Sequence, residues 1–334
     1  MTGARLTSLA LVGVLSVALV GCATGPADDW ATNSTDRVSV VALSSAHPAA
    51  NPTAFAEPSA TAGQATLDAA TDLAASGLPF IRNQPHRVAP FPLVLNDVVK
   101  RYVEAYANHS EGIEGSFRRS RPYLPAMVKV FEERGLPPEL VYLSFAESRF
   151  KSKGAGPWQL SRATARRYHL IVNRYIDERR DPIKSTRAAA EYLAALHDEA
   201  GDWNMALVGW NRGEKALDRY WSLRGVKYGQ LTAHLPYNTR SLLNRFMAVA
   251  IIAHQPERYG IQPVDYSEPV HFRTLRIKGG TTLAHVARRT GVPVSELRQL
   301  NPALLHDRVP ASIRSYELRL PLAESADAGS MLRF

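Results

Sequence analysis

From about residue 86 to residue 260, apolar side chains return every three or four positions, the repeat expected of helices that each bury one face. Interruptions at Pro137-Pro138, Gly154 to Pro157, Asp181-Pro182, Gly201, Gly213 and Pro256 divide this stretch into a series of helices. One begins at Leu136-Pro-Pro-Glu-Leu140, with proline in the first turn, where a missing N–H costs little. A second opens near Ser185, runs through Leu196 and stops at Gly201, and a third, Thr239 to His254, is apolar enough to lie at the centre of a core. Beyond residue 270 the period changes. His271 to Ile277 reads as a strand, Lys278-Gly-Gly-Thr281 as a turn, Thr282 to Arg289 and Ser295 to Leu300 as short helices, and Tyr316 to Pro321 as a second strand. The fold class is therefore mainly α, a helical domain followed by a small βααβ unit. A unit of about 50 residues holds little core of its own, so it is expected to lean on its neighbour.

The first 85 residues break this pattern. Leu9 to Val20 is apolar but only twelve residues long. As a helix it would reach about 18 Å, short of the ~30 Å hydrocarbon core of a bilayer, which is the signature of a signal peptide rather than a membrane span. From Ala23 to about Gln84, alanine, threonine, serine and proline dominate, with a weak helical hint at Thr66 to Ala75. Such a spacer behaves as a coil with an r.m.s. reach of about 40 Å.

Charge sharpens the division. The chain carries 40 Lys+Arg against 31 Asp+Glu, a net +9. Residues 1–85 hold three basic and six acidic side chains, so the remainder carries 37 against 25, or +12. An anionic partner is expected for the folded part. The arginine pairs Arg118-Arg119, Arg166-Arg167, Arg179-Arg180 and Arg288-Arg289 are dispersed, and no recognition motif accompanies them, which argues against nucleic acid. The ten histidines show no ligand spacing, so no metal site and no cofactor are expected. Cys22 stands alone among 334 residues, so no intrachain disulfide can form.

The chemistry-bearing candidate is Glu147. Leu140, Leu143, Ala146 and Phe150 mark the buried stripe of its helix, and Glu147, four residues after Leu143, projects along that stripe. Burial raises a carboxyl above its ~4.3 reference and lets it hold a proton near neutrality, the state a general acid needs. On spacing alone, such a glutamate is either an acid or a structural partner for an arginine.

Further motifs add to this reading. Glu147-Ser148, Gly156-Pro-Trp-Gln159 and Trp210-Asn-Arg-Gly213 resemble, in order, the Glu-Ser, Gly-x-x-Gln and Ala-Tyr-Asn-x-Gly series of lytic transglycosylases. Ser120-Arg-Pro-Tyr-Leu-Pro-Ala-Met127, Gly135-Leu-Pro-Pro-Glu-Leu-Val-Tyr-Leu143 and Asp177-Glu-Arg-Arg-Asp-Pro-Ile-Lys-Ser-Thr-Arg-Ala-Ala189 are similar to the murein transglycosylase D subgroup. The resemblance implies a goose-type-lysozyme-like helical domain that cleaves the MurNAc–GlcNAc bond of peptidoglycan and closes a 1,6-anhydro ring, with Glu147 as acid and then base. It implies substrate-binding roles for Ser148, Gly156, Trp158, Gln159, Trp210 and Asn211. Ser148 would bond near the carboxylate or the sugar, the turn at Gly154 and Gly156 would let the chain approach the glycan, and Gln159 and Asn211 would bind N-acetyl groups or hold Glu147. Trp158 either stacks on a sugar or fills core, and Asn211 is alternatively a helix-end cap. The sequence departs from the family at Trp210, where a tyrosine is usual, and at Asn238 and Leu242, where an acid and a tyrosine that contacts the catalytic glutamate are usual. The loop from Phe150 to Gly156 is shorter than usual, which alters one wall of the cleft.

Leu19-Val-Gly-Cys22 resembles a lipoprotein lipobox, with Cys22 as the lipid attachment point, and Lys278-Gly-Gly-Thr-Thr-Leu-Ala-His-Val-Ala287 with Val294-Ser-Glu-Leu-Arg-Gln-Leu-Asn-Pro302 resembles a LysM domain. The expected order is a signal peptide (1–21), a spacer (22–84), a transglycosylase domain (85–262), a LysM-like module (263–323) and a tail (324–334). The expected partners are peptidoglycan glycan strands and, through the lipid, the periplasmic face of the outer membrane. The alternative is a non-catalytic peptidoglycan-binding lipoprotein, with the module either a glycan binder or a structural appendage.

Overall fold

The computed structural model describes residues 89–266 and 271–322. Cys22, the signal segment, the spacer with its weak helical hint and the tail lie outside the described residues.

Helices α1 (Asp97–Asn108), α2 (Ser110–Ser120) and α3 (Leu124–Glu133) lead to a 3-10 turn, Pro138–Tyr142, and the short α4 (Leu143–Ser148). Then come α5 (Arg162–Arg167), a 3-10 turn at Glu178–Arg180, α6 (Pro182–Ala200), α7 (Trp203–Arg212), α8 (Ala216–Tyr220), α9 (Tyr228–Ala233) and α10 (Tyr237–His254). The centre is α10, which packs against α1, α4 and α7. Leu243, Phe246, Met247, Ala248, Ile251 and Ile252 are all fully buried along it, so this helix is covered on every side, as its all-round apolar sequence demands. Among the described residues no helix is long and apolar enough to cross a membrane.

Two local expectations change. The helix expected from Leu136 is a 3-10 turn that passes into α4, and every residue from Pro138 to Ala146 is buried. Its burial is nearly all-round rather than confined to a stripe, and Glu147 lies where the helix emerges. Helix α6 begins at Pro182 rather than near Ser185. The Asp181 carboxylate accepts hydrogen bonds from the Ile183 and Lys184 amides at 3.0 and 2.9 Å, and Pro182 supplies a first helical residue with no N–H to satisfy.

The carboxy-terminal unit has the expected order, β1 (Phe272–Lys278), α11 (Leu283–Thr290), α12 (Val294–Leu300) and β2 (Ser315–Pro321), with the strands antiparallel and Leu275 opposite Leu318. Ile277, Leu283, Val286, Leu297, Leu318 and Leu320 form its core, and Ile176 of the helical region is fully buried among them. The unit does lean on its neighbour. Ile176 pairs with Leu304 as a β-bridge, the Asp177 amide donates to the Ala303 carbonyl at 2.8 Å, and the Leu305 amide donates to Tyr175 at 2.9 Å. Beside this seam Arg319 of β2 makes a buried ion pair with Asp181, with nitrogen–oxygen distances of 2.8 and 3.0 Å.

Candidate functional site

Glu147 occupies the last turn of α4. The helix stops because Arg149 and Phe150 both take left-handed backbone angles, φ +54° and +59°, and the Arg149 amide closes back on the Phe145 carbonyl at 2.8 Å. Two consecutive non-glycine residues in that region are costly, of order 1–3 kcal/mol each, and need outside support. Arg119 gives part of it by donating to the Arg149 carbonyl at 2.8 Å. The chain is thereby thrown directly into the loop that carries Gly156 to Gln159.

That loop is tied to α4 by Ser148. Its hydroxyl lies 2.8 Å from the Pro157 carbonyl and 3.1 Å from that of Ser144, and it accepts from the Lys151 amide at 3.1 Å. These bonds go to backbone rather than to the Glu147 carboxylate, so of the two expected partners, carboxylate or sugar, the first is not the one it takes. Gly156 also changes meaning. With φ +78°, a Cβ at this position would lie 1.7 Å from the Arg179 carbonyl oxygen. Its glycine serves close approach to the Glu178–Arg180 turn. The same turn holds the loop by side chains, with Arg179 donating to the Leu160 carbonyl at 3.0 Å and Arg180 to Gly154 at 3.2 Å. Arg179 is itself clamped by Asp177 through two bonds of 2.9 and 2.7 Å.

Trp158 is core. It is 1% exposed, donates its indole N–H to Thr186 at 2.9 Å and packs on Phe131, so it has no free face on which a sugar could stack. Gln159 is exposed, sits at φ +49° and folds its amide back onto the Gly156 carbonyl at 2.6 Å. Asn211 is exposed in the last turn of α7 rather than at its cap, and its Oδ1 accepts from Thr239 at 2.7 Å. Because that acceptor is occupied, its amide N–H groups are the end left for a ligand carbonyl.

Trp210 meets Glu147 directly. Helix α7 can lie close on α6 because Gly209 faces it, where a Cβ would sit 2.8 Å from a Leu196 methyl. Trp210 follows, with its ring tilted against Tyr192 at 5.4 Å and edge-on to Trp158 at 5.9 Å. Its indole Nε1–H donates to Glu147 Oε1 at 2.8 Å. Being 9% exposed, Trp210 offers little ring surface to a sugar, so the aromatic-wall reading gives way to a hydrogen-bonding one. Leu242, 2% exposed, is packed into the core, and the contact a tyrosine there was expected to make is made by the indole instead.

Glu147 retains partial access to solvent. Burial is the largest influence on its carboxyl and pushes it above the ordinary value, opposed by the Trp210 N–H and, from α10, by the positive charge of Arg245. Among the described residues, no second carboxylate figures among the groups that shift it. The sequence reading missed Arg245, Thr239 and Tyr106, whose buried phenol feels both Arg245 and Arg149. An arginine set midway along the most apolar helix, directly before its apolar run Phe246–Ala253, is the signal that would have found the first. Among the described residues no group of three or more His, Cys, Asp or Glu side chains is placed to hold a metal ion.

The transglycosylase SLT domain family matches residues 132–230, which include Glu147, the Gly156–Gln159 loop and Trp210. The family of LysM-like domains of lytic transglycosylase MltD matches residues 271–332. The membrane-bound lytic murein transglycosylase D of Escherichia coli (strain K12) is 27% identical over 232 residues, covering 66% of this chain and 51% of that protein, and its counterpart from Escherichia coli O6:H1 matches equally. A putative tributyltin chloride resistance protein of Alteromonas sp. (strain M-1) is 37% identical over 103 residues, 29% of this chain and 50% of that one. The chain thus spans about half the length of the curated relatives it matches. It carries a transglycosylase SLT domain followed by an MltD-type LysM-like domain.

Proposed function

We propose that this protein is a peptidoglycan lytic transglycosylase. The observation that carries the reading is the carboxyl of Glu147, raised by burial, held by a neutral donor and, among the described residues, shifted by no second carboxylate. Glycosidases that use water need a second carboxylate, as nucleophile or to activate the water. One suffices when the nucleophile belongs to the substrate. Neutral Glu147 gives its proton to the glycosidic oxygen as the bond to MurNAc C1 breaks, and the electron pair leaves with GlcNAc. The C6 hydroxyl oxygen of the same MurNAc closes on C1, and the Glu147 carboxylate takes its proton. The acid is regenerated, no water is consumed, and proximity supplies much of the rate.

Gln159, exposed in the loop that follows α4, and Asn211, exposed next to Trp210, are assigned to sugar amide groups, and the LysM-like unit to glycan binding. In this reading Cys22 carries the lipid that places the enzyme on the periplasmic face of the outer membrane, after removal of residues 1–21. Residues 22–84 then act as the tether, 85–262 as the catalytic domain and 263–323 as the glycan-binding domain.

The test is digestion of purified murein sacculi by the full chain in ¹⁸O-labelled water. Muropeptides ending in unlabelled 1,6-anhydro-MurNAc are expected, and Glu147→Gln should lower their rate by about 10³-fold, within the range of general acid–base catalysis. Reducing ends carrying the label would mean hydrolysis. Sacculus binding without any product would leave a non-catalytic peptidoglycan-binding protein.

A further inference from the structure

We infer that Trp210 is the positioning residue that divides the labour of the two Glu147 oxygens: its indole N–H holds Oε1 as a permanent acceptor and leaves Oε2 to release and take back the proton. The inference rests on reading Glu147 as the acid and base of the reaction above.

The argument begins with what an indole can do. Its N–H donates and never accepts, whereas a hydroxyl does both. A hydroxyl beside a neutral carboxylic acid can accept the acid's own proton and turn it into the protein. An indole cannot. When Glu147 is neutral, the carbonyl oxygen is the better acceptor, so a donor 2.8 Å from Oε1 favours the form with the proton on Oε2. When Glu147 is ionised, the same bond stabilises the negative charge at Oε1, and Oε2 remains the open base. One oxygen then serves both half-reactions, with no rotation of the carboxyl group between them.

The surroundings make this assignment stiff. Trp210 is held between Tyr192 and Trp158, and Trp158 is pinned by Thr186. A positive charge also acts on Glu147, that of Arg245 from α10, and it favours the ionised carboxylate. Among the described residues, the hydrogen bond recorded for the Glu147 carboxyl is the one from Trp210.

The experiment needs a variant that removes the N–H but keeps the ring. Replacing Trp210 by 3-benzothienylalanine does this, with Trp210→Phe as the simpler companion. In the full chain, the Trp210 indole ¹H–¹⁵N resonance should follow a single titration that disappears in Glu147→Gln. The ¹³C titration of the Glu147 carboxyl should move to higher pH in both Trp210 variants, because a bond that favours the ionised form has been lost. On sacculi, kcat should fall about tenfold, the worth of one hydrogen bond to a charged group, with KM little changed and the alkaline limb of the pH profile moved upward. A Glu147 titration unchanged in the benzothienyl variant would overturn the inference, as would a change in KM alone. The NMR arm does not depend on activity, so an inactive wild-type protein would sink the proposed function and leave this test to stand or fall separately.

Discussion

Glu147 and Asp177 are two carboxylates kept from most of the solvent, and the protein holds them in opposite states. Burial acts on both in the same direction. At Asp177 the upward push of burial is overcome by the hydrogen bonds and charge of Arg179, which hold the carboxyl below its usual range. Glu147 is given an indole N–H and a more distant arginine, which oppose burial without reversing it. A clamped guanidinium makes a carboxylate structural, and a single neutral donor leaves one able to exchange protons. The two carboxylates differ in their partners as they do in their states.

The comparison breaks most visibly if Asp177 loses its cation. Arg179→Met should cost about 3 kcal/mol in urea unfolding, the usual cost of stranding a buried charge, and should move the Asp177 titration from below its ordinary value to above it. Gly156→Ala tests whether the Asp177–Arg179 turn backs the Gly156–Gln159 loop. The added Cβ meets backbone that cannot swing away and sits at a left-handed φ, so a loss of about 2–3 kcal/mol is expected, with reduced activity on sacculi. An alanine variant of wild-type stability would detach the two regions from each other.

The smallest effect concerns the sign of linkage. Since the folded Glu147 carboxyl lies above its unfolded value, its ionisation disfavours the folded state once pH rises past the folded pKa. Glu147→Gln should therefore raise Tm slightly at neutral pH, and the gain should vanish below about pH 4, where the unfolded glutamate is also protonated. Asp177 has the opposite sign. Its contribution is present above about pH 4 and is lost as pH falls through its lowered folded pKa.

What the sequence disclosed follows from how local each feature is. Helix α10 and the βααβ order were legible because period and turn residues are written within the segment. The start of α6 was misplaced because Pro182 reads as a break, although after Asp181 it is the first residue of a helix. Trp158 could be core or binding surface, because that depends on Phe131 and Thr186, which no spacing reveals. Trp210 stood out as a departure from the expected tyrosine, yet its bond to Glu147 spans 63 positions and belongs to the packing of α7 on α6. Likewise, nothing near Ile176 in sequence announces that it completes a second hydrophobic core.

That shared core has a consequence for the order in which the molecule is made. Asp181 and Arg319 lie 138 positions apart, and Ile176, Asp177 and Tyr175 wait for Leu304, Ala303 and Leu305. Contacts of such sequence separation form late, since the chain between them must first be ordered. The segment that waits is the one against which Gly156 is pressed. In a nascent chain lacking its carboxy-terminal unit these partners are missing, so the wall behind the Gly156–Gln159 loop is completed only with that unit.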